Sequence, residues 1–105
     1  MSLNITFRKI KSSDAIKEYI HQKYEKLEKY RDKATEAHVI LSTEKYMHHA
    51  EIVFSAKQFQ VAAKSSTNDM YTSIDDAFDK LTKNIKKHHA KKNKAKVHPG
   101  KEVLA

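Results

Sequence analysis

Apolar residues recur at helical spacing in two stretches of this 105-residue chain and alternate in four others, which leaves few ways to build one core. Leu3, Ile5 and Phe7 alternate with Asn4, Thr6 and Arg8, as in a half-buried strand. Ser12-Ser13-Asp14 offers helix N-cap chemistry, and Ile16, Tyr19, Ile20, Tyr24, Leu27 and Tyr30 then recur every three or four residues. That stripe predicts an amphipathic helix of about five turns. Three strand-like sets follow: Ala37, Val39 and Leu41; Ala50, Ile52 and Phe54; Phe59, Val61 and Ala63. Short connections near 43–47 and 55–58 predict antiparallel hairpins, although neither carries an Asn-Gly or Asp-Gly turn.

Ser66 with Asp69 three residues later resembles a capping box and predicts the start of a second helix. Its apolar stripe runs through Met70, Ile74, Ala77, Phe78, Leu81 and Ile85. Asp69, Asp75, Asp76 and Asp79 fill its first half and lysines its second, the order that complements a helix dipole. Lys92 would rotate onto the apolar stripe, so the helix is expected to leave the core near His88–His89. Residues 1–91 therefore read as one domain, and 92–105 as a basic, flexible tail. The order β-α-β-β-β-α predicts an α+β fold: a four-stranded mixed sheet with two helices packed on one face. Its first two strands should be parallel, joined through a right-handed crossover.

Charge is distributed unevenly along this pattern. Residues 80–105 hold nine lysines and one acid, Glu102, which accounts for the whole formal charge of +8; residues 1–79 hold twelve basic and twelve acidic residues. Such a block favours a polyanionic partner. Lysine outnumbers arginine 19 to 2, so contacts to phosphate are expected rather than bidentate readout of bases. Lys80, Lys83, Lys87, Lys91 and Lys94 fall within about 80° on a helical wheel. Lys26, Lys29 and Lys33 repeat the theme more weakly on the first helix, with Lys23 at the margin of its stripe. The expected RNA-binding residues are Lys23, Lys26 and Lys29, together with Lys80, Lys83, Lys86, Lys87 and Lys91. An ordinary solvated lysine face is the plain alternative. A general double-stranded RNA or DNA module and a domain that binds an acidic protein are two more.

Other chemistry is poorly served. The single glycine, Gly100, rules out Gly-rich phosphate loops, and the absence of cysteine removes disulfides and thiolate metal sites. Neighbouring histidines, His48–His49 in a strand and His88–His89 in a helix, lack metal-chelating spacing. Asp75, Asp76 and Asp79 are better explained as dipole partners than as catalytic carboxylates. Tyr71 is a candidate for stacking on a base, or for sealing the core edge. No catalytic residue, metal or cofactor is expected. With no apolar run of membrane-spanning length, a cytoplasmic home is expected.

Several strings, in order, carry a family resemblance. Asp69-Met70-Tyr71, then Ile74-Asp75 and Lys80-Leu81, resemble the hallmark of the ribosome hibernation promoting factors and the related ribosome-associated inhibitor. Leu3-Asn4-Ile5-Thr6, Lys26-Leu27-Glu28-Lys29-Tyr30, Val39-Ile40-Leu41 and Glu44-Lys45 are similar to the same family, so the likeness spans about residues 1–91. It implies the β-α-β-β-β-α fold and binding of small-subunit ribosomal RNA in the decoding region. It also implies a block on messenger and transfer RNA in stationary or stressed cells, by a protein monomeric off the ribosome. Lys23 and Lys26, then Lys80, Lys83, Lys87 and Lys91, match the family's basic positions; Met70, Ile74, Leu81 and Ile85 match its core. The cationic tail to Ala105 departs from the acidic tail of the inhibitor branch and favours the short hibernation factors. Ser55-Ala56-Lys57-Gln58 replaces the family's usual glycine turn.

Overall fold

The computed structural model describes residues 2–31, 35–57 and 59–93, the last five by backbone alone. The chain forms β1 (Ser2–Arg8), α1 (Asp14–Glu25), β2 (Glu36–Glu44), β3 (Met47–Ser55), β4 (Gln60–Thr67) and α2 (Met70–Asn93). The four strands lie in sequence order in one sheet, β1 parallel to β2 and the other pairs antiparallel. Both the α+β class and the mixed sheet predicted from periodicity are present.

Alternation explains the core directly. The register aligns Leu3, Ala37, Phe54 and Val61 across the sheet, then Ile5, Val39, Ile52 and Ala63, so the apolar set of each strand meets that of its neighbour. Apart from the half-buried Leu3 and Ile5, which pack against it, these rows share one buried cluster with Ile20, Tyr24 and Leu27 and with Met70, Ile74, Leu81 and Ile85 of α2. On the other sheet face, which has no helix over it among the described residues, His38, Ala62 and Lys64 are exposed and Ile40, Glu51 and Val53 half-buried. Burial on one face only is what a period of two in each strand allows.

The first helix is shorter than its stripe predicts. Ser13 is its N-cap, its hydroxyl accepting from the Ile16 N–H at 3.2 Å, but α1 ends at Glu25. The Lys26 and Leu27 N–H groups then bond three residues back, to Lys23 and Tyr24, and a 3₁₀ turn covers Glu28–Tyr30. Tightening of this kind rotates Leu27 into the core, where it is 2% exposed, and moves Lys26 and Lys29 off the helix proper. Lys33 lies outside the described residues.

Two more boundaries differ for local reasons. Ser66 belongs to β4, and Asp69 itself caps α2: its carboxylate accepts from the Thr72 N–H at 2.9 Å and the Thr72 hydroxyl at 2.8 Å. Those bonds, the backbone one first, hold the Asp69 carboxyl below its ordinary range. Phe59 precedes β4 and closes the β3–β4 turn, its carbonyl accepting from the Ala56 N–H at 2.8 Å. Between β2 and β3 the loop is only Lys45–Tyr46, with Lys45 at φ 57°, a left-handed geometry that glycine would adopt more easily. At the far end, α2 runs through Asn93, so residues 92 and 93 are helical; 94–105 lie outside the described residues.

Candidate nucleic-acid interface

The lysines of α2 follow from where its stripe points. With Ile74, Leu81 and Ile85 fully buried, Lys83 is carried to the opposite side and stands exposed, with Lys87 about 40° and Lys86 about 60° from it on the wheel. Among the described residues, none of these three is paired with a carboxylate. His88 continues the face toward the sheet, its ring stacked on Phe59 at 5.1 Å and 8°, while Phe59 lies 6.2 Å from Phe54 in the core. That column fastens the cationic half of α2 to the sheet. The side chains of His89, Lys91 and Lys94 lie outside the described residues.

Two of the expected RNA-binding lysines make polar contacts within the fold, Lys80 while still exposed and Lys23 half-buried. Lys80 sits 3.5 Å from Asp76 and donates to the Lys64 carbonyl at 3.3 Å; Asn84 reaches the Ala62 carbonyl at 3.4 Å. Lys23 pairs with Asp75 at 2.8 Å. Lys26 is exposed at the end of α1 without a carboxylate within ion-pair distance among the described residues, and Lys29 lies over the Tyr30 ring at 5.5 Å. The exposed lysines without a carboxylate partner among the described residues are therefore Lys83, Lys86 and Lys87 on α2, with Lys26 and Lys29 at the end of α1.

Adjacent aspartates do different structural work. The Ser65 hydroxyl donates to Asp76 at 2.7 Å, tying α2 to β4; that bond, then the charges of Lys80 and Lys83, keeps the Asp76 carboxyl low against the opposing effect of burial. Asp75 ties α2 to α1, accepting from the Tyr19 hydroxyl as well as from Lys23. Burial resists ionisation of Asp75, but the Lys23 and Tyr19 bonds and the charges of Lys23 and Lys26 outweigh it and leave its carboxyl below the ordinary range. The bond to Asp75, aided by burial, pushes Tyr19 up to about 12. Dipole complementarity alone did not reveal these tethers, because Tyr19 is 56 residues from Asp75 and nothing local links them.

A pH test follows. Stability from the depressed Asp75 is full above its unfolded value of 3.8 and is lost as pH falls through the folded value. For Tyr19, raised from 10.0, the contribution is full below 10.0 and is lost as pH rises through about 12. Asp75→Asn is expected to lower the melting temperature at about pH 7, with the gap to the wild type narrowing as pH falls below 3.8. A constant gap between the two melting curves would show that the carboxylate is not the tether.

Between α1 and α2 an open groove of about 270 Å³ has Leu27 and Phe78 among its lining, with Thr82 beside them. Lys26 stands on one wall and Asp79 on the other, and Asp79 has no ion-pair partner among the described residues. Tyr71, 40% exposed, meets Tyr19 edge-on at 4.9 Å and so closes the other end of the α1–α2 seam. His48 and His49 point to opposite faces; His49 bonds Ser66 at 2.6 Å, and no metal-competent group of three or more ligands occurs among the described residues.

Comparison with known proteins returns one family. Residues 3–93 match the family described as sigma 54 modulation protein / S30EA ribosomal protein. A ribosome hibernation promoting factor of Escherichia coli (strain K12) is 34% identical over 98 residues, covering 93% of this chain and all of that protein. Another, from Azotobacter vinelandii, is 32% identical over 87% of this chain and 85% of its own length. Among solved structures, the N-terminal domain of Thermus thermophilus Protein Y superposes with a TM-score of 0.77 at 29% identity, covering 84% of this chain and 99% of that one. A ribosomal subunit interface protein from Coxiella burnetii shares the fold, with a TM-score of 0.74 at 20% identity over 86% of this chain and 99% of its own.

Proposed function

Because the chain belongs to the sigma 54 modulation protein / S30EA ribosomal protein family, among whose members are the ribosome hibernation promoting factors, we propose that it silences ribosomes by occupying the small subunit. It is a rigid basic wedge that grips ribosomal RNA in the decoding region and excludes messenger and transfer RNA by bulk. One observation carries this: Lys83, Lys86 and Lys87 stand exposed on a helix whose other side is locked in the core, with no carboxylate paired to them among the described residues. Such a ridge binds phosphates by releasing counterions, which needs no catalytic group. Lys26 and Lys29 at the end of α1 add to it, Lys91 is a further candidate from the sequence, and Lys23 and Lys80 hold the wedge in shape.

Gradient sedimentation with purified ribosomes tests this. The protein is expected to travel with the small subunit, to be released steeply by salt, and to be displaced by messenger RNA together with transfer RNA. If it stays at the top of a low-salt gradient, or is indifferent to both RNAs, the wedge is wrong. Equal affinity for any RNA duplex of similar length would instead mark a general duplex-binding module.

A further inference from the structure

Every open sheet has two edges, and those of this one differ. At β4 the Lys80 and Asn84 side chains occupy the carbonyls of Lys64 and Ala62. The other edge is β1. The Ser2 N–H donates to the Thr35 carbonyl at 3.0 Å, and Ser2 stands opposite Glu36 in the parallel ladder. Residues of such a ladder turn their backbone groups alternately to either side, so Ser2, Asn4, Thr6 and Arg8 face β2 while Leu3, Ile5 and Phe7 face outward. Among the described residues, nothing bonds to those outward N–H and C=O groups.

The side chains of β1 suit a partner as well. Leu3, Ile5 and Phe7 are only half-buried, packed on the core without being enclosed by it, whereas Val39, Leu41, Ile52 and Phe54 of the two central strands are fully buried. The devices that blunt a sheet edge are missing: β1 has no proline, no bulge in its register with β2 and no charged side chain before Arg8. The strand is also its own complement. Laid antiparallel on a second β1 about a twofold axis at Ile5, it sets Leu3 against Phe7 and Ile5 against Ile5, outward-facing residues that exchange both backbone bonds. On the open side Asn4 meets Thr6 and Arg8 meets Ser2, so no like charges are opposed.

We propose that β1 is a docking edge for the β1 of a second copy, which joins two four-stranded sheets into one about a twofold axis at Ile5. The resemblance implies a monomer off the ribosome; this edge instead sets up an equilibrium between one copy and two. Pairing leaves the occupied edge of β4 at each end, so association closes at a dimer. α2 packs on β3 and β4, and β4 lies three strand spacings, about 14 Å, from β1, so the lysine ridge stays free in both copies. The pairing does not rest on the ribosomal function proposed above, and salt separates the two. Copies of net charge +8 repel each other, so salt strengthens the dimer while it weakens a grip on RNA.

An interface this small is transient, with a dissociation constant on the order of 100 µM. Sedimentation equilibrium of nucleic-acid-free protein, at concentrations on either side of that value, should raise the apparent mass from 12.2 kDa toward twice as much, more so at high salt. Asn4→Lys combined with Thr6→Lys sets like charges against each other at both open-side pairs, and should hold the mass at 12.2 kDa with circular dichroism unchanged. The chain has no cysteine, so the register can be read directly. On mild oxidation an equimolar mixture of Asn4→Cys and Thr6→Cys proteins should cross-link about tenfold faster than either protein alone, because only unlike positions come face to face. The proposal is overturned if the mass stays at 12.2 kDa throughout, if the lysine variant dimerises like the wild type, or if the mixture cross-links no faster than its components.

Discussion

Lys83→Glu combined with Lys87→Glu is expected to abolish ribosome association while leaving the fold untouched. Both side chains are exposed, lie within about 40° on one face and, among the described residues, pair with no carboxylate. A hydrogen bond to a charged group contributes about 1.5–3 kcal/mol, so losing two phosphate contacts costs about 3–6 kcal/mol, or two to four orders of magnitude in affinity. The new carboxylates repel the same phosphates and add to that loss. The salt dependence should also flatten, by about one unit of log–log slope per lysine removed. Sedimentation at several salt concentrations, paired with circular dichroism, measures both effects. Co-sedimentation of the double variant at wild-type levels would remove the cationic face from the mechanism.

Phe54→Ala is expected to have the largest effect on stability. Phe54 is fully buried, sits in register between Ala37 and Val61, and supports the Phe59 ring on which His88 stacks. Emptying a buried phenylalanine site costs about 3–5 kcal/mol through lost transfer energy and the cavity left behind. Against a total of about 5–15 kcal/mol for a domain, that leaves the protein marginal or unfolded near physiological temperature. Differential scanning calorimetry should show the midpoint falling by tens of degrees; a shift of about 5 °C or less would mean that the site collapses without penalty. The loss also reaches the cationic half of α2, because the Phe54–Phe59–His88 column is one of its attachments to the sheet.

How far the sequence can be read depends on the range of the interaction that decides each feature. Strand alternation and the α2 stripe were legible because burial on one face imposes its period residue by residue: all six predicted stripe residues of α2 are buried. The end of α1 was not, since the tightened turn at Lys26–Leu27 answers to the pocket that receives Leu27, not to any local stop signal. Capping was misplaced by one strand end, because Ser66 and Asp69 both have N-cap chemistry and only pairing with β3 decides between them. Outward placement of Lys83, Lys86 and Lys87 followed from the wheel. The engagement of Lys23 and Lys80 did not, since carboxylates and carbonyls brought in by tertiary contact determine it.

The side chains of Lys80 and Asn84 lean over β4, the terminal strand, and engage the carbonyls of Lys64 and Ala62, two residues apart. An incoming β-strand from a second molecule would have to peel both away before it could zip onto that margin. Crowding many copies together in one cell therefore carries less danger of fibre growth from this border, and the guard is furnished by the same helix that displays the lysine ridge.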